Sequence, residues 1–524
     1  MATVVKCFSV EGIEGHLVEI EATSLRGQQQ MISVIGLGDQ AVREAAERMQ
    51  AAIESCGYEI PHDKMIISLA PGNLRKRGSH YDLAMTIALL ISTDQVTVKR
   101  DRIDNCGMIG ELSLNGKLRP CNGILPMTSE AVRIGLKTLI VPEENAKEAK
   151  SISGITVHGM NSLQDVIYYI EGRAVAEKEK KKESTNEDNL KESNLAYGMD
   201  FRDVKGQAEL VDAIVLAAAG GHNILMIGEP GCGKSMIAQR MPTILPLMSE
   251  RESLEVTKIQ SISGLLPPDH KIVRMRPFRA PHHNISLNAM IGGGSFAMPG
   301  EVSLAHNGVL FLDELAEFNR STLDSLRQPM EDKHVTISRV NGTNCYPANF
   351  MFVAAMNPCP CGYYPSSRCK CTDYEIAHYR SKISGPILDR IDIQKDVRSV
   401  DYFDLTRETA APSSAELRKR VEKARKIQQE RFTDCEGINC NSQMTSALVQ
   451  NYCQLDNEST GILREASQRN GFSARTIHKL LKVARTSADL DDVENIRTDD
   501  IKRVLRCRDL DRSNRNMYTV GGEQ

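Results

Sequence analysis

The stretch that decides the fold is NILMIGEPGCGKSMIAQRM, residues 223–241. An apolar run from Ile224 to Ile227 enters Gly228-Glu229-Pro230-Gly231-Cys232-Gly233-Lys234-Ser235, and a helical pattern follows. This is the G-x-x-x-x-G-K-[ST] phosphate loop in the strand–loop–helix setting it requires. Glycines let backbone N–H groups turn inward around phosphate oxygens, at a helix N-terminus whose dipole favours anions. Lys234 can reach the β- and γ-phosphates, and the Ser235 hydroxyl can ligate Mg²⁺. A chance glycine turn is the competing reading, and the flanking strand and helix argue against it.

Two downstream segments supply the expected partners. NGVLFLDELAEF (307–318) carries four apolar residues, Val309 to Leu312, that fit a central buried strand. Asp313 and Glu314 follow at its C-terminal end, where parallel sheets bind ligands. Asp313 would hold Mg²⁺ through water, and Glu314 would polarise the attacking water. NFMFVAAMNP (349–358) is a third buried strand ending in Asn357. That amide suits a hydrogen bond to the γ-phosphate or the lytic water. A strand-end turn before Pro358 is the alternative.

Outward from this centre, residues 1–170 alternate short β-rich runs with helical patterns. MIISLAP (65–71) reads as a buried strand, YDLAMTIALLIS (81–92) as an apolar helix, and LKTLIVPEEN (136–145) as a strand ending at Pro142. AVAEKEKKKESTNEDNLKESN (174–194) has almost no apolar residues and cannot build a core, so it reads as a linker. From about 200 to 400 strands and helices alternate as in a parallel-sheet α/β domain. Beyond about 410 the strands stop; AELRKRVEKARKIQQERF (415–432) and SARTIHKLLKVARTSADL (473–490) have helical periodicity. The 524-residue chain has net charge −3, which excludes a whole-protein basic field. No apolar run reaches the ~18 residues that span a bilayer. The start, MATVVKCFSVEGIEGH, lacks a basic n-region with a long apolar core, so no membrane partner and a cytoplasmic location are expected.

The three strands in this order resemble the AAA+ ATPases, which makes ATP the expected nucleotide. FRAPHHNISLNAMIGGGSFAMPGEVSLAHNGVLFLDE (278–314) looks like the Mg-chelatase-like branch, and nearly the full chain resembles the YifB/ComM family of Mg-chelatase-like ATPases. GLGDQAVREAAERMQAAI (36–53), LAPGNLRKRGSHYDL (69–83) and GELSLNGKLRP (110–120) resemble its N-terminal domain; FSARTIHKLLKVARTSADL (472–490) resembles its C-terminal helical domain. The resemblance implies an α/β fold of three parts. Residues 1–172 form a Lon-protease-like, ribosomal-protein-like domain, 173–197 a linker, and 198–410 an AAA+ P-loop parallel-sheet domain. Residues 411–510 form a helical lid and 511–524 a tail. In GPILDRIDI (385–393) Arg390 takes the place of the arginine finger, which reaches a neighbouring subunit's ATP; a helix-end salt bridge is the bland alternative. Arg475 takes the place of the second sensor arginine. Together they imply a ring, a homo-hexamer.

A Lon-like domain raises a protease reading. The catalytic Ser position falls at His80 in RKRGSHYDL and the Lys position at Leu125 in NGILPM. Ser79 is adjacent, but a dyad needs a lysine to take the serine's proton. The domain therefore reads as non-catalytic.

NPCPCGYYPSSRCKC (357–371) places Cys359, Cys361, Cys369 and Cys371 in a loop directly after the Asn357 strand. In a reducing compartment such a cluster is read first as a metal site. Four thiolates suffice for one tetrahedral Zn²⁺; reduced thiols and a redox switch are the alternatives. His282 and His283 are ligands only in principle and read better as a polar turn.

A ring ATPase moves something. KIVRMRPFRAPHH (271–283) carries Lys271, Arg274, Arg276 and Arg279, and EDKHVTISRVNG (331–342) reads as a hairpin with Lys333, His334 and Arg339. Basic hairpins in a pore would track a phosphate backbone without reading sequence; ordinary solvated charge is the alternative. The resemblance implies a translocase or branch-migration helicase on single-stranded or branched DNA, in recombination or natural transformation. A chelatase-type motor, a protein remodeller and a Lon-like protease remain as rivals.

Overall fold

The computed structural model describes residues 4–25, 31–173, 198–266, 272–295, 297–339, 342–399, 411–435 and 437–508. The linker read at 174–194, the tail 511–524 and Lys271 lie outside the described residues. The described residues fall into two compact units. The first takes those up to 173 together with the helix Glu250–Ile262 from further along the chain; the second takes 198–249 and those from 274 on.

The first unit is built on a seven-stranded sheet: β1 (Val4–Glu11), β2 (Glu14–Leu25), β3 (Met31–Ile35), β4 (Lys64–Ala70), β5 (Cys106–Met108), β6 (Thr138–Pro142) and β7 (Thr156–Met160). The order is β3-β4-β2-β1-β5-β6-β7. β1 pairs antiparallel with β2, and β2 with β4, whereas β5, β6 and β7 run parallel. Helix α1 (Gln40–Ser55) is capped by Asp39, whose carboxylate accepts from the Val42 N–H, and it buries Val42, Ala45, Met49, Ala52 and Ile53. That spacing is one helical face. Helix α2 (Asp82–Ser92) is apolar on all sides because it is buried on all sides.

The helix Glu250–Ile262 falls within the sequence boundaries 198–410 but packs on α3 (Ile124–Arg133) of the first unit. The Gly123 N–H donates to the Ser261 carbonyl at 3.2 Å, and the Ser261 hydroxyl donates to Glu148 at 2.5 Å. Burial of Val256 and Ile259 adds an apolar face.

The second unit holds a five-stranded parallel sheet of β8 (Ile224–Gly228), β9 (Phe278–Arg279), β10 (Val309–Leu312), β13 (Met351–Met356) and β14 (Ile393–Val397), in the order β9-β10-β13-β8-β14. A separate antiparallel hairpin, β11 (His334–Arg339) with β12 (Gly342–Pro347), precedes β13. The three strands singled out in the sequence lie side by side, with β13 between β10 and β8. All residues of β8, β10 and β13 are buried, which explains their unbroken apolar text. Helix α4 (Ala208–Gly220) covers the sheet, and helices α5 (Lys234–Arg240) and α6 (Arg327–Asp332) follow the phosphate loop and β10. Past residue 411 the described chain is helical: α7 (Ser414–Arg431) and α8 (Ala474–Leu490) pack with α4 and each other, and α9 (Thr498–Leu505) packs with α8.

Candidate functional site

The phosphate loop joins the C-terminal end of β8 to α5, with Gly231 (φ 80°) and Gly233 (φ 89°) in left-handed conformations that a Cβ would strain. The Lys234 ammonium donates to the Gly228 carbonyl at 2.6 Å and the Glu229 carbonyl at 3.0 Å, and lies 3.4 Å from Asn357 Oδ1. The Ser235 hydroxyl donates to Asp313 Oδ2 at 2.5 Å, although 78 residues separate them. These two oxygens are the hard donors that Mg²⁺ takes, and they meet beside the loop that would hold the phosphates. Four residue types read from three segments thus converge at one end of a parallel sheet.

Glu314 follows Asp313 with a left-handed backbone (φ 51°), uncommon for a residue with a side chain. Its N–H donates to Asp313 Oδ1 at 2.9 Å, which turns its carboxylate outward, 56% exposed. His283 Nδ1 lies 3.4 Å from that carboxylate and packs edge-on against Phe318. From sequence, His282 and His283 read as a polar turn. His283 reaches Glu314 because the loop after β9 borders the end of β10, a consequence of strand adjacency that local text does not show.

The four loop cysteines converge. Their sulfurs all lie within 4.8 Å of one another, with Cys359 3.4 Å from Cys361 and 3.7 Å from Cys369, and Cys361 3.6 Å from Cys369. A tetrahedral site with Zn–S near 2.3 Å sets sulfurs about 3.8 Å apart, so the set fits one zinc ion. Hydrogen bonds from the Lys370 and Tyr363 amides pull the Cys361 thiol down to about 6. Cys369 and Cys371 each accept a backbone hydrogen bond that lowers them, but desolvation and the neighbouring sulfurs outweigh it and raise both. The loop also braces the phosphate loop. Arg368 pairs with Glu229 at 2.6 Å, and a Cβ on Gly362 would meet Pro230 Cδ at 2.7 Å.

Comparison with known proteins settles the family. Residues 200–405 match the family described as magnesium chelatase, subunit ChlI; residues 18–145 match subunit ChlI of Mg-chelatase, and 411–508 the ChlI C-terminal family. The uncharacterized protein YifB of Escherichia coli K12 is 39% identical over 483 residues, 92% of either chain. The competence protein ComM of Haemophilus influenzae is 35% identical over 490 residues, 93% of either chain.

The chain belongs to the YifB/ComM family of Mg-chelatase-like proteins.

Its central domain is therefore of AAA+ type, the class built to hold a nucleotide and Mg²⁺. The first unit is Lon-like: a Lon protease of Trichlorobacter lovleyi is 32% identical over 147 residues, 27% of this chain and 17% of that protein. At the positions where a Ser–Lys dyad would stand, His80 Nε2 donates to the Phe8 carbonyl at 2.9 Å and Leu125 is fully buried. Burial pushes the His80 imidazole down to about 4. The adjacent Ser79 hydroxyl donates to Glu111, with no lysine between them.

In this YifB/ComM chain both arginines of the expected finger and sensor are engaged within their own subunit. Arg390 donates to the Arg327 carbonyl at 3.0 Å and the Pro386 carbonyl at 2.7 Å, and lies 2.7 Å from Glu331. Arg475, from the first turn of α8, donates to the other oxygen of Glu331. Glu331 carries no motif and is invisible in the sequence.

The basic text divides. Arg339 is exposed on β11 and bonds Asn288 at 3.0 Å; His334 is exposed at the strand's start. Lys333 stands before the hairpin, where it ends α6 with φ 59°; burial, offset in part by Cys440 and Asp392, lowers its pKa. Arg276 is occupied by the Pro246 and Asn307 carbonyls, and Arg279 by both oxygens of Glu301 at 2.6 Å. Arg274 is exposed.

Proposed function

We propose that the chain is a ring-forming ATPase that couples ATP hydrolysis to translocation on DNA, as a branch-migration helicase in recombination or natural transformation. The observation that carries the ATPase reading is the convergence of Lys234, Ser235, Asp313 and Asn357 at the end of the parallel sheet. In this reading the phosphate-loop amides and Lys234 hold the β- and γ-phosphates. Ser235 and Asp313 hold Mg²⁺, which neutralises charge on the phosphates. Glu314 accepts a proton from the attacking water, and Asn357 orients that water or the γ-phosphate. Arg390 of one subunit reaches the nucleotide of the next in a homo-hexamer, and Arg475 senses it from the lid. Cys359, Cys361, Cys369 and Cys371 hold a structural Zn²⁺ that fixes the loop bracing Glu229 and Pro230.

The DNA half of the reading rests on the exposed Arg339 hairpin and on a relative named for competence. A row of such hairpins around a ring would contact phosphates with little regard to sequence. The test is ATP turnover with and without single-stranded and four-way-junction DNA. Stimulation supports the reading. Turnover driven by a partner protein and indifferent to DNA would favour a chelatase-type or protein-remodelling motor, and ATP-dependent proteolysis a Lon-like protease.

A further inference from the structure

One carboxylate holds both arginines. Glu331 Oε2 lies 2.7 Å from Arg390, and Oε1 accepts from Arg475. Glu331 belongs to α6, and Arg390 is tied to the same helix a second time through the Arg327 carbonyl. Helix α6 runs straight into the hairpin: Lys333 ends it and His334 begins β11. The Ala348 N–H closes the far end of the hairpin onto the Lys333 carbonyl at 2.7 Å. Val335, Ile337 and Tyr346 are buried, and the Tyr346 hydroxyl donates to the Ala297 carbonyl at 3.0 Å. The hairpin is therefore a packed lever whose root is α6. On the other side, Lys479 of α8 donates to the Asp389 carbonyl and lies 3.6 Å from Asp392, so the lid helix also grips the Arg390 segment.

We propose that Glu331 is a positioning residue that latches Arg390 and Arg475 away from nucleotide until a load on the hairpin, carried through α6, releases them. The inference rests on the ATPase reading above. Its physical basis is charge and connectivity. A guanidinium paired with a carboxylate is neutralised and aimed by it. Here one carboxylate serves two guanidiniums, so moving it frees two transition-state charges together. Helix α6 has six residues, and displacement of its C-terminal end at Lys333 must carry Glu331 with it. Coupling of this kind requires a discrete element that both sites bias, and α6 is bonded to both.

The experiment uses the full chain and Glu331→Gln, which keeps shape and removes charge. ATP kcat and KM are measured without DNA and with saturating single-stranded DNA, beside DNA affinity by anisotropy and the unfolding midpoint. The latch predicts a DNA-free kcat raised ~5-fold or more, a stimulation ratio falling toward one, unchanged DNA affinity, and an unfolding midpoint within a few degrees of wild type. Glu331→Asp keeps the charge and should hold the DNA-free rate near wild type. A DNA-free rate left at the wild-type value overturns the latch, as does a parallel fall in both rates, the mark of a merely structural role. If the wild type ignores DNA, the translocase reading fails separately. A raised DNA-free rate in Glu331→Gln would then still uphold the latch, and an unchanged one would still overturn it.

Discussion

Ser235 and Asp313 show at the scale of single residues how a site is assembled from distant text. Their oxygens meet at 2.5 Å because β8 and β10 flank β13, and the loops at their ends face the same side. Lys234 and Glu314 are expected to separate binding from chemistry. Lys234→Ala should abolish nucleotide binding measured with a fluorescent ATP analogue. Glu314→Gln should bind ATP and hydrolyse it on the order of 10²–10⁴ times more slowly. The phosphate loop, Asp313, Glu314 and Asn357 were legible in sequence because each sits beside its own strand. His283 and Glu331 were not, because each acquires its partner through contacts between segments far apart in the chain. His80 makes a pH prediction. Its folded pKa, about 4, lies below the ordinary ~6.5, so the unfolded chain takes up the proton first as pH falls. Its contribution is whole above ~6.5 and is lost as pH drops toward 4, on the order of 1–3 kcal/mol. Burial raises the Asp82 carboxyl to about 6, which favours the folded first unit as pH falls and opposes His80. Chemical denaturation at pH 7 and pH 5 should therefore show the His80 loss as a difference, wild type changing less favourably than His80→Gln; an equal change in the two would remove His80 as a source.

At the scale of elements, the cysteine loop braces the phosphate loop at the C-terminal end of the sheet, and α8 grips the opposite end, where Asp392 precedes β14. Protein purified without chelator should carry one zinc per chain by mass spectrometry of the native protein. Cys369→Ser should lose it, and loosen nucleotide binding through the Arg368–Glu229 contact. Zinc-free wild type would sink the metal reading. Asp392 anchors α8. Burial alone would raise its pKa, but Lys479, His222 and the Asn223 N–H outweigh that and hold its carboxyl low. Asp392→Ala leaves the half-buried Lys479 ammonium without its carboxylate, and should cost about 1–3 kcal/mol of stability in denaturant titrations. The strands at 64–70 and 138–142 and the helix at 82–92 matched their text closely, since period and breakers are local signals. The helix Glu250–Ile262 did not announce its place with the first unit. Its apolar face says that something covers it, but not which sheet.

For the whole molecule, ATP turnover is expected to answer to DNA. The family and the α/β organisation were legible because the motifs are long and collinear over nearly the full chain. The ring and the DNA contact were expected only through the family resemblance, since both depend on surfaces completed by other molecules. Arg390→Ala should bind ATP but hydrolyse it ~10³-fold more slowly, and mixing it with wild type should poison turnover more than dilution does if neighbours share sites. Strictly additive rates would argue against sharing. Arg339→Ala should keep the DNA-free rate, lose most DNA stimulation, and shallow the salt dependence of binding by about one unit of slope. The decisive measurement is the ATPase rate of the full chain with and without single-stranded and four-way-junction DNA, beside Lys234→Ala and Glu314→Gln. A DNA translocase shows a rate raised by DNA, most by the junction, and abolished in both variants. A vigorous ATPase that no DNA alters would contradict DNA translocation.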